Sequence, residues 1–220
     1  MKPIIFNTDM VRAILEDRKT VTRRAVKPPV TNTIVTPPLQ STNKPGYWAF
    51  YGEDGLRRAP YHPGDILYVR ETWCWCYCWD CGMDTEKGCA DETSEKFYNS
   101  QKGEWGCYGY RASFEEGAVP FGDGWCPSIH MPREAARIFL RVTDVRVERL
   151  QDISPGQCVA EGADDGTAFR EIGGDFVRGM FSDLWDSTIK PADRGLYDWY
   201  ANPWVWVIEF ERISREEGTT

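Results

Sequence analysis

The feature that most constrains the fold of this chain is a strict alternation of side chains close to its C-terminus. Every second residue there is large and apolar: Trp204, Trp206, Ile208 and Phe210. The residues between them become charged toward the end of the segment, at Glu209 and Glu211. A period of two residues predicts a β-strand, because successive side chains of a strand point to opposite faces of a sheet. The chain must therefore supply a sheet for this strand and a core for its apolar face.

Four other segments predict a mixed fold. Residues 66–73 follow a Pro-Gly-Asp turn and are rich in β-branched and aromatic side chains, and apolar residues alternate again between 138 and 147. Apolar residues recur at helical spacing over 10–15, behind the N-cap pair Asn7-Thr8, and over 176–185. Several strands joined by turns and short helices are typical of a small barrel. The sequence therefore predicts an α+β fold, a small β-barrel with short helices.

The segment from about 74 to 121 has no clear periodicity and is rich in Cys, Gly and charged residues. We interpret it as an insertion in a single domain that spans residues 1–220, a length that can bury a sizeable core. No apolar run approaches the length of a membrane span, and the apolar part of the N-terminus is too short for a signal peptide. These observations predict a cytoplasmic protein that has no contact with a membrane.

The charge of the chain is unevenly distributed. The formal net charge is −8, but residues 1–70 hold 11 Lys and Arg against 6 Asp and Glu, so this part is positive and the remainder is strongly negative. Nonspecific affinity for duplex nucleic acid depends on many phosphate contacts, which an acidic chain makes poorly. A basic N-terminal third can still line one local site for a small anion, a nucleoside or a single strand. The charge therefore favours a nucleoside or a single strand, such as single-stranded RNA, as a partner and disfavours duplex DNA.

One run of eight residues combines four cations with two hydroxyls: Asp17-Arg18-Lys19-Thr20-Val21-Thr22-Arg23-Arg24. Such a run can hold an anion or the polar edge of a base, and a lysine close to a threonine can activate a nucleophile. A solvated basic turn that leads into a strand would have the same composition, and basic runs are common. Spacing alone favours this second interpretation.

A single carboxylate stands out further along the chain. Ser154-Pro155 fits a helix N-cap followed by proline at the first helical position, and Gly162 fits the residue beyond the helix end. Glu161 then occupies the last turn, where the helix dipole disfavours a negative charge. That setting suits a general acid or base. An ordinary exposed glutamate would have the same spacing.

The eight cysteines do not indicate structural disulfides in a chain predicted to be cytoplasmic. Cys78 and Cys81 form a CxxC step of the kind found in zinc knuckles, and Cys89 and Cys107 would complete four ligands. The later spacing matches no standard zinc finger. Cysteines at 74, 76 and 78 also alternate with aromatic residues, which a buried strand would explain equally well. Two hypotheses therefore stand side by side: a structural zinc site, or cysteines buried in the core.

Other kinds of site are excluded by composition. Only two histidines are present, His62 and His130, so a Ser-His-Asp triad or a histidine-rich metal centre is not expected. The chain has no glycine-rich phosphate loop and no dinucleotide fingerprint, so the sequence does not predict an enzyme that uses a nucleoside triphosphate or a dinucleotide cofactor.

Three stretches of the chain resemble the ASCH superfamily, relatives of the PUA-like RNA-associated β-barrels. They are residues 7–24 with the sequence RKTVTRR, residues 64–73 with GDILYVRETW, and residues 128–162 together with the closing 202–213. The amino-acid sequences of these stretches are most similar to those of family members carried by bacteriophages and prophages. The resemblance implies a PUA-like barrel, to which this chain adds its Cys-rich insertion, and a location in the bacterial host cytoplasm if the chain is phage-encoded.

Characterised small bacterial members of this family are amidohydrolases that remove the acetyl group from N4-acetylcytidine with a Lys, a Thr and a Glu. By position in the motif the first two correspond to Lys19 and Thr22, and the third corresponds to Glu161, in the helix after the long strand. The resemblance implies that Lys19 acts as a base toward the Thr22 hydroxyl and that Glu161 protonates the leaving amine. We expect four polar neighbours to bind the substrate: Thr20, Arg24, Arg70 and Glu71.

The chain departs from the family at Asp17, where glycine is usual, and in its insertion. Our leading prediction is an amidohydrolase that acts on an N4-acylated cytidine or a related nucleoside. A non-catalytic RNA-binding module or a ribonuclease is the first alternative, and the acidic charge counts against the binding module. The second alternative is a phage factor that binds a host protein through the aromatic insertion.

Overall fold

The structure is a computed structural model that describes residues 1–29, 38–50, 56–77, 97–99, 103–115, 117 and 124–219. Its strands are β1 (Lys2–Ile5), β2 (Val21–Ala25), β3 (Leu39–Gln40), β4 (Tyr47–Ala49), β5 (Leu56–Arg58), β6 (Ile66–Arg70), β7 (Trp73–Tyr77), β8 (Phe97–Asn99), β9 (Glu104–Tyr110), β10 (Phe139–Arg149) and β11 (Trp204–Ile213). Its helices are α1 (Thr8–Leu15), α2 (Pro155–Ala160), α3 (Thr167–Glu171), α4 (Gly174–Thr188) and α5 (Arg215–Thr219).

The strands form three sheets. The largest has the order β1-β6-β10-β11-β2, and the two smaller ones have the orders β3-β4-β5 and β7-β9-β8. Within the described ranges each sheet ends on two different strands, so none of them closes into a barrel. The predicted α+β class is confirmed, and the described sheets are open where the sequence predicted a barrel.

Contacts divide the chain into two compact units. The first consists of Met1, Ala13–Leu67 and Leu140–Thr220, and the second consists of Lys2–Arg12 and Tyr68–Phe139. The second unit contains the whole of the predicted insertion, 74–121. Within that insertion the structure describes the sheet β7-β9-β8. The alternation of cysteines with aromatic residues allowed for the strand β7, whereas β8 and β9 were not predicted from the sequence.

The core of the first unit is built on the pairing of its terminal strand. β11 pairs antiparallel with β2, with Ile208 opposite Thr22 and Trp206 opposite Arg24. On one face of this pair, a buried apolar cluster includes residues of β11, α2 and α4: Val205, Val207, Cys158, Val177, Phe181 and Trp185. On the other face, Trp206 packs edge-on against Phe50 at 6.3 Å between ring centroids. The alternation near the C-terminus therefore forms the predicted strand, with both of its faces covered.

The strand predicted over 66–73 is interrupted. β6 and β7 are separated by Glu71 and Thr72. The Glu71 N–H donates to the sulfur of Met131 at 3.2 Å, and its buried carboxylate accepts from the guanidinium of Arg137. Because Glu71 takes these partners outside the sheet, the ladder breaks between the two strands.

The two helices predicted near 10–15 and 176–185 are present. α1 begins at Thr8, and the Asn7 side chain accepts from the Met10 N–H at 2.9 Å, as a helix N-cap does. α4 buries a stripe that begins at Val177, whereas Phe176 is 50 % exposed. The spacing therefore predicts the helix and the buried Phe181 and Trp185 correctly, and only the first apolar residue, Phe176, lies outside the buried stripe.

Candidate active site

The candidate site is built at the C-terminal end of α2, in the first unit. Ser154 begins this helix as the predicted N-cap: its hydroxyl accepts from the Gln157 N–H, and the Gln157 side chain accepts from the Ser154 N–H in a capping box. Glu161 is the C-cap residue, and Gly162 follows with a φ of 82°, which glycine adopts without strain. The helix thus ends at a fixed residue, with the Glu161 side chain 4 % exposed.

Lys19 approaches this helix end from the loop between α1 and β2. The Lys19 N–H donates to the Ala13 carbonyl at 3.0 Å, and the N–H of Thr20, whose side chain is exposed, donates to the Ala160 carbonyl at 2.9 Å. Asp17 in the same loop has a φ of 55°, a left-handed conformation that glycine favours and aspartate tolerates. Glycine would adopt this conformation without strain.

The Lys19 ammonium is buried against the end of α2. Its Nζ lies 2.7 Å from Glu161 Oε2, 2.7 Å from the Glu161 carbonyl oxygen and 2.9 Å from the Val21 carbonyl oxygen. A cation at this place satisfies a carbonyl that the helix end leaves without an intrahelical partner. The structure thus brings together two of the three predicted catalytic residues, which are 142 positions apart in the sequence.

Arg23 extends this contact into a chain of alternating charges. Its Nη1 lies 3.2 Å from Glu161 Oε1, and its Nη2 lies 3.2 Å from Glu148 Oε2. Glu148 in turn accepts from Arg146 Nε at 2.6 Å, and Arg146 also contacts Glu209. Alternation of this kind compensates each buried charge with a neighbour of opposite sign. The Glu161 carboxylate is therefore held by a cation on each oxygen.

Thr22 lies one peptide unit from the Lys19 ammonium. The Val21 carbonyl that accepts from Lys19 belongs to the peptide bond that precedes Thr22. Thr22 is buried and shares a face of β2 with Arg24, since alternate residues of a strand point the same way, while Arg23 projects from the other face. The structure therefore places Thr22 next to Lys19 along the backbone, on the face that carries Arg24.

Burial changes the proton affinity of several groups around the site. Desolvation lowers the pKa of Lys19 below its usual range, although the Glu161 carboxylate opposes the shift. Desolvation also lowers the pKa of Arg24, which interacts electrostatically with the Tyr61 phenol, and burial raises the pKa of that phenol. A lysine whose neutral form is easier to reach can act as a base toward a hydroxyl. The arrangement thus brings a candidate base into contact with a carboxylate. The Thr22 side chain lies on the Arg24 face of β2, opposite the face from which Arg23 reaches Glu161.

Two of the predicted substrate-binding residues belong to the second unit. The Arg70 guanidinium donates to the carbonyl oxygens of Met131, at 3.1 Å, and of Ile129. The Glu71 carboxylate accepts from Arg137 Nε at 2.9 Å and from Arg137 Nη2 at 3.0 Å. These contacts hold the second unit together, and a role of Arg70 and Glu71 toward a substrate stays a prediction.

The predicted zinc ligands are only in part described. Cys78, Cys81 and Cys89 lie outside the described residues, while Cys107 is buried on β9, opposite Cys76 of β7. Within the described ranges, no group of three or more His, Cys, Asp or Glu side chains is arranged to hold a metal ion. The zinc site through these four cysteines therefore stays a prediction.

Three charged members of the network have no role in the sequence-based prediction: Arg23, Glu148 and Arg146. The sequence could have linked two of them: Arg146 and Glu148 are two residues apart on the long strand β10, so strand alternation puts their side chains on the same face. Arg23 is one of four cations in the basic run. Which of these cations turns toward Glu161 depends on a partner far away in the sequence, so no local pattern identifies it.

No family model, curated protein or solved structure matches this chain. Among the described residues, no helix is both long and apolar enough to cross a bilayer. The function therefore has to be argued from the site itself.

Proposed function

We propose that this chain is an amidohydrolase that acts on an N4-acylated cytidine or a related nucleoside, and that it is a PUA-like domain with a Cys-rich insertion. The observation that supports this proposal most is the buried contact of 2.7 Å between Lys19 and Glu161. Thr22, which is also buried, follows Lys19 closely in the sequence. Lys, Thr and Glu are also the residue types that the resembling family uses for this reaction. The burial of all three side chains favours chemistry away from bulk water.

The proposed reaction begins at the Thr22 hydroxyl. Neutral Lys19 takes the hydroxyl proton while Thr22 Oγ1 attacks the carbonyl carbon of the acyl group, and a C–O bond forms. The hydrogen bond between Lys19 Nζ and Glu161 Oε2 passes a proton to the carboxylate, which delivers it to N4 as the C–N bond breaks. A water molecule then attacks the acyl ester on Thr22, Lys19 takes a proton from that water, and Lys19 returns this proton to Thr22 Oγ1 as the ester C–O bond breaks. The products are a carboxylic acid and the free cytidine.

The two neighbouring arginines have different roles in this proposal. Arg23 contacts Glu161 Oε1 while Lys19 contacts Oε2, so Arg23 is a positioning residue that fixes the carboxylate. Arg24 shares the Thr22 face of β2 and carries a guanidinium that can orient the polar edge of a base. Removal of Arg24 should therefore raise KM more than it lowers kcat.

The test is a hydrolysis assay with N4-acetylcytidine and a panel of other N4-acylated cytidines, in which chromatography follows the release of cytidine. Wild-type protein should release cytidine from at least one of them. Lys19→Met should lower kcat/KM by about 10²- to 10⁴-fold, the range typical for a lost general base.

The matched control for this assay is Lys27→Met. The Lys27 side chain is 63 % exposed and lies 3.7 Å from Asp193 at the surface, so its removal should leave kcat/KM unchanged. Folded wild-type protein that hydrolyses no member of the panel would contradict the proposal. An equal loss of activity in the two lysine variants would contradict the role of Lys19.

A further inference from the structure

A cluster of three cysteine thiols lies in the second unit, on the sheet β7-β9-β8. β7 pairs antiparallel with β9, with Cys76 opposite Cys107 and Cys74 opposite Gly109. Directly opposed residues of an antiparallel pair share a face of the sheet. The thiols of Cys74, Cys76 and Cys107 therefore project from one face, while a cluster of aromatic rings around Tyr108 occupies the other.

The sulfur atoms on this face are in contact with each other. Cys74 Sγ and Cys76 Sγ lie 3.5 Å apart. A Cβ atom added at Gly109 would lie 2.7 Å from Cys74 Sγ and 2.9 Å from Cys76 Sγ, closer than real Cβ contacts allow. The two sulfurs thus occupy the space that a side chain at 109 would need. Glycine at this position makes the room in which the thiols meet.

The three thiols are not equivalent. Cys74 and Cys107 are buried, and Cys76 is half-buried. Cys76 is therefore the most accessible of the three cysteines, and access is one property of a cysteine that reacts with a small oxidant.

We propose that Cys76 and Cys107 form a reversible disulfide when a peroxide oxidises the reduced protein. Opposed residues of antiparallel strands have Cα atoms about 4.5–5.5 Å apart, inside the range of about 4.4–6.8 Å that disulfides span. Cys74 and Cys76 are neighbours on one extended strand, where their Cα atoms are about 6.6 Å apart, close to the limit of that range. The cross-strand pair therefore closes with less movement of the backbone.

The peroxide is the electron acceptor in the proposed oxidation. The Cys76 thiolate attacks one oxygen of the peroxide, the O–O bond breaks, and the other oxygen takes up a proton and leaves as water, so that Cys76 becomes a sulfenic acid. The Cys107 sulfur then attacks the Cys76 sulfur, an S–S bond forms, and the sulfenic oxygen leaves with the Cys107 proton as a second water. The pair of thiols loses two electrons, and the peroxide gains them. A dithiol reductant reverses the reaction by thiol–disulfide exchange.

The test is peptide mapping of the reduced full-length protein after treatment with hydrogen peroxide at neutral pH. Cleavage after the aromatic residues Trp75 and Tyr77 separates Cys76 from the neighbouring cysteines. We expect a peptide in which Cys76 is linked to Cys107 and which disappears on treatment with a dithiol. The proposal is overturned if Cys76 stays reduced, becomes linked to another cysteine, or proceeds to a sulfinic acid without a disulfide.

Two variants sharpen this test. Cys107→Ser removes the second thiol but keeps a hydrogen-bond donor, so peroxide should leave Cys76 as a sulfenic acid that a cyclic dione traps. Cys158→Ser is the matched control, because Cys158 is a buried thiol of the first unit whose pKa burial raises to about 11. Its yield of the Cys76–Cys107 linkage should equal that of the wild type. Trapping of Cys76 to the same extent in wild type and Cys107→Ser, with both folded by circular dichroism, would also overturn the proposal.

Discussion

At the scale of single residues, the candidate site depends on charges that leave water in compensating pairs. The side chains of Lys19 and Arg23 are both 0 % exposed, and both contact the carboxylate of Glu161. A buried charge is tolerated when it is paired and hydrogen-bonded, and it is costly when its partner is removed. Glu161 therefore stabilises the first unit in addition to its proposed chemical role.

Replacing Glu161 with glutamine should lower the free energy of unfolding by about 3–5 kcal/mol, because two buried cations lose their counter-charge. Urea unfolding followed by circular dichroism measures this loss. The matched control is Glu211→Gln: Glu211 lies 2.7 Å from Arg141, but its side chain is 52 % exposed. Its loss should stay below about 1 kcal/mol, as for other surface ion pairs. Similar losses in both variants would mean that the contact of Lys19 with Glu161 is not a buried, compensated pair.

The residue types of the site can be predicted from the sequence, but their pairing cannot. The basic-hydroxyl run and the carboxylate at a helix end are local patterns, and both lead to residues that meet in the structure. Arg23 reaches Glu161 because strand alternation turns it away from the face of Thr22 and Arg24, and its partner is 138 positions away. No local spacing contains that information.

At the scale of elements, α2 is a short helix whose two ends are both fixed. The capping box at Ser154 fixes its start, and Gly162 follows its end in a left-handed conformation. A Cβ atom at Gly162 would lie 2.9 Å from Ala13 Cβ and 3.5 Å from Lys19 Cβ. The close approach of the Lys19 loop to the helix end therefore depends on the missing side chain.

We predict opposite effects for two glycine-to-alanine exchanges. Gly162→Ala should destabilise the protein by about 1–3 kcal/mol, because alanine is strained at a φ of 82° and its methyl group presses on Ala13. Gly179 lies on the exposed side of α4, with no atom within 4 Å of an added Cβ. Gly179→Ala should therefore stabilise the protein by about 0.5–1 kcal/mol. Thermal unfolding of the two variants checks this, and shifts of the same sign would contradict the described end of α2.

Elements with a strong local pattern can be predicted, and elements shaped by distant partners cannot. β11 and α4 follow from their periodicity. The break between β6 and β7 depends on the contact of Glu71 with Arg137, 66 positions away. β9 is not predicted from the sequence because glycines at 106 and 109 interrupt its side-chain pattern. The space that side chains at these positions would need is filled by Trp75 and by two cysteine sulfur atoms of β7. The pattern of β9 is thus set by the strand with which it pairs.

At the scale of the whole molecule, the order of the strands cannot be read from the chain. The sequence predicts the period of β2 and β11, but their pairing joins Thr22 to Ile208, residues from opposite ends of the sequence. Such pairings depend on the packing of the whole core rather than on local preference. This explains why the mixed class is predicted correctly while the described sheets are open rather than barrel-like.

The net charge of −8 predicts weak binding to duplex nucleic acid. At about 0.15 M salt the full-length protein should bind a short labelled RNA duplex with a Kd no tighter than about 10⁻⁴ M, the weak end of nonspecific binding. Fluorescence anisotropy measures this affinity. A micromolar or tighter Kd that weakens steeply with added salt would favour the RNA-binding interpretation over a nucleoside enzyme.

The most direct measurement of the proposed activity is the turnover of N4-acetylcytidine by Thr22→Val, together with the affinity of the same variant for the nucleoside. Valine keeps the branched shape and the strand preference of threonine but removes the hydroxyl. The matched control is Thr143→Val on the exposed side of β10, which should keep wild-type turnover. We predict that kcat of Thr22→Val falls by about 10³-fold or more while its Kd for the nucleoside stays within a few-fold of the wild type. Turnover by Thr22→Val at the wild-type rate would contradict the assignment of Thr22 as the nucleophile.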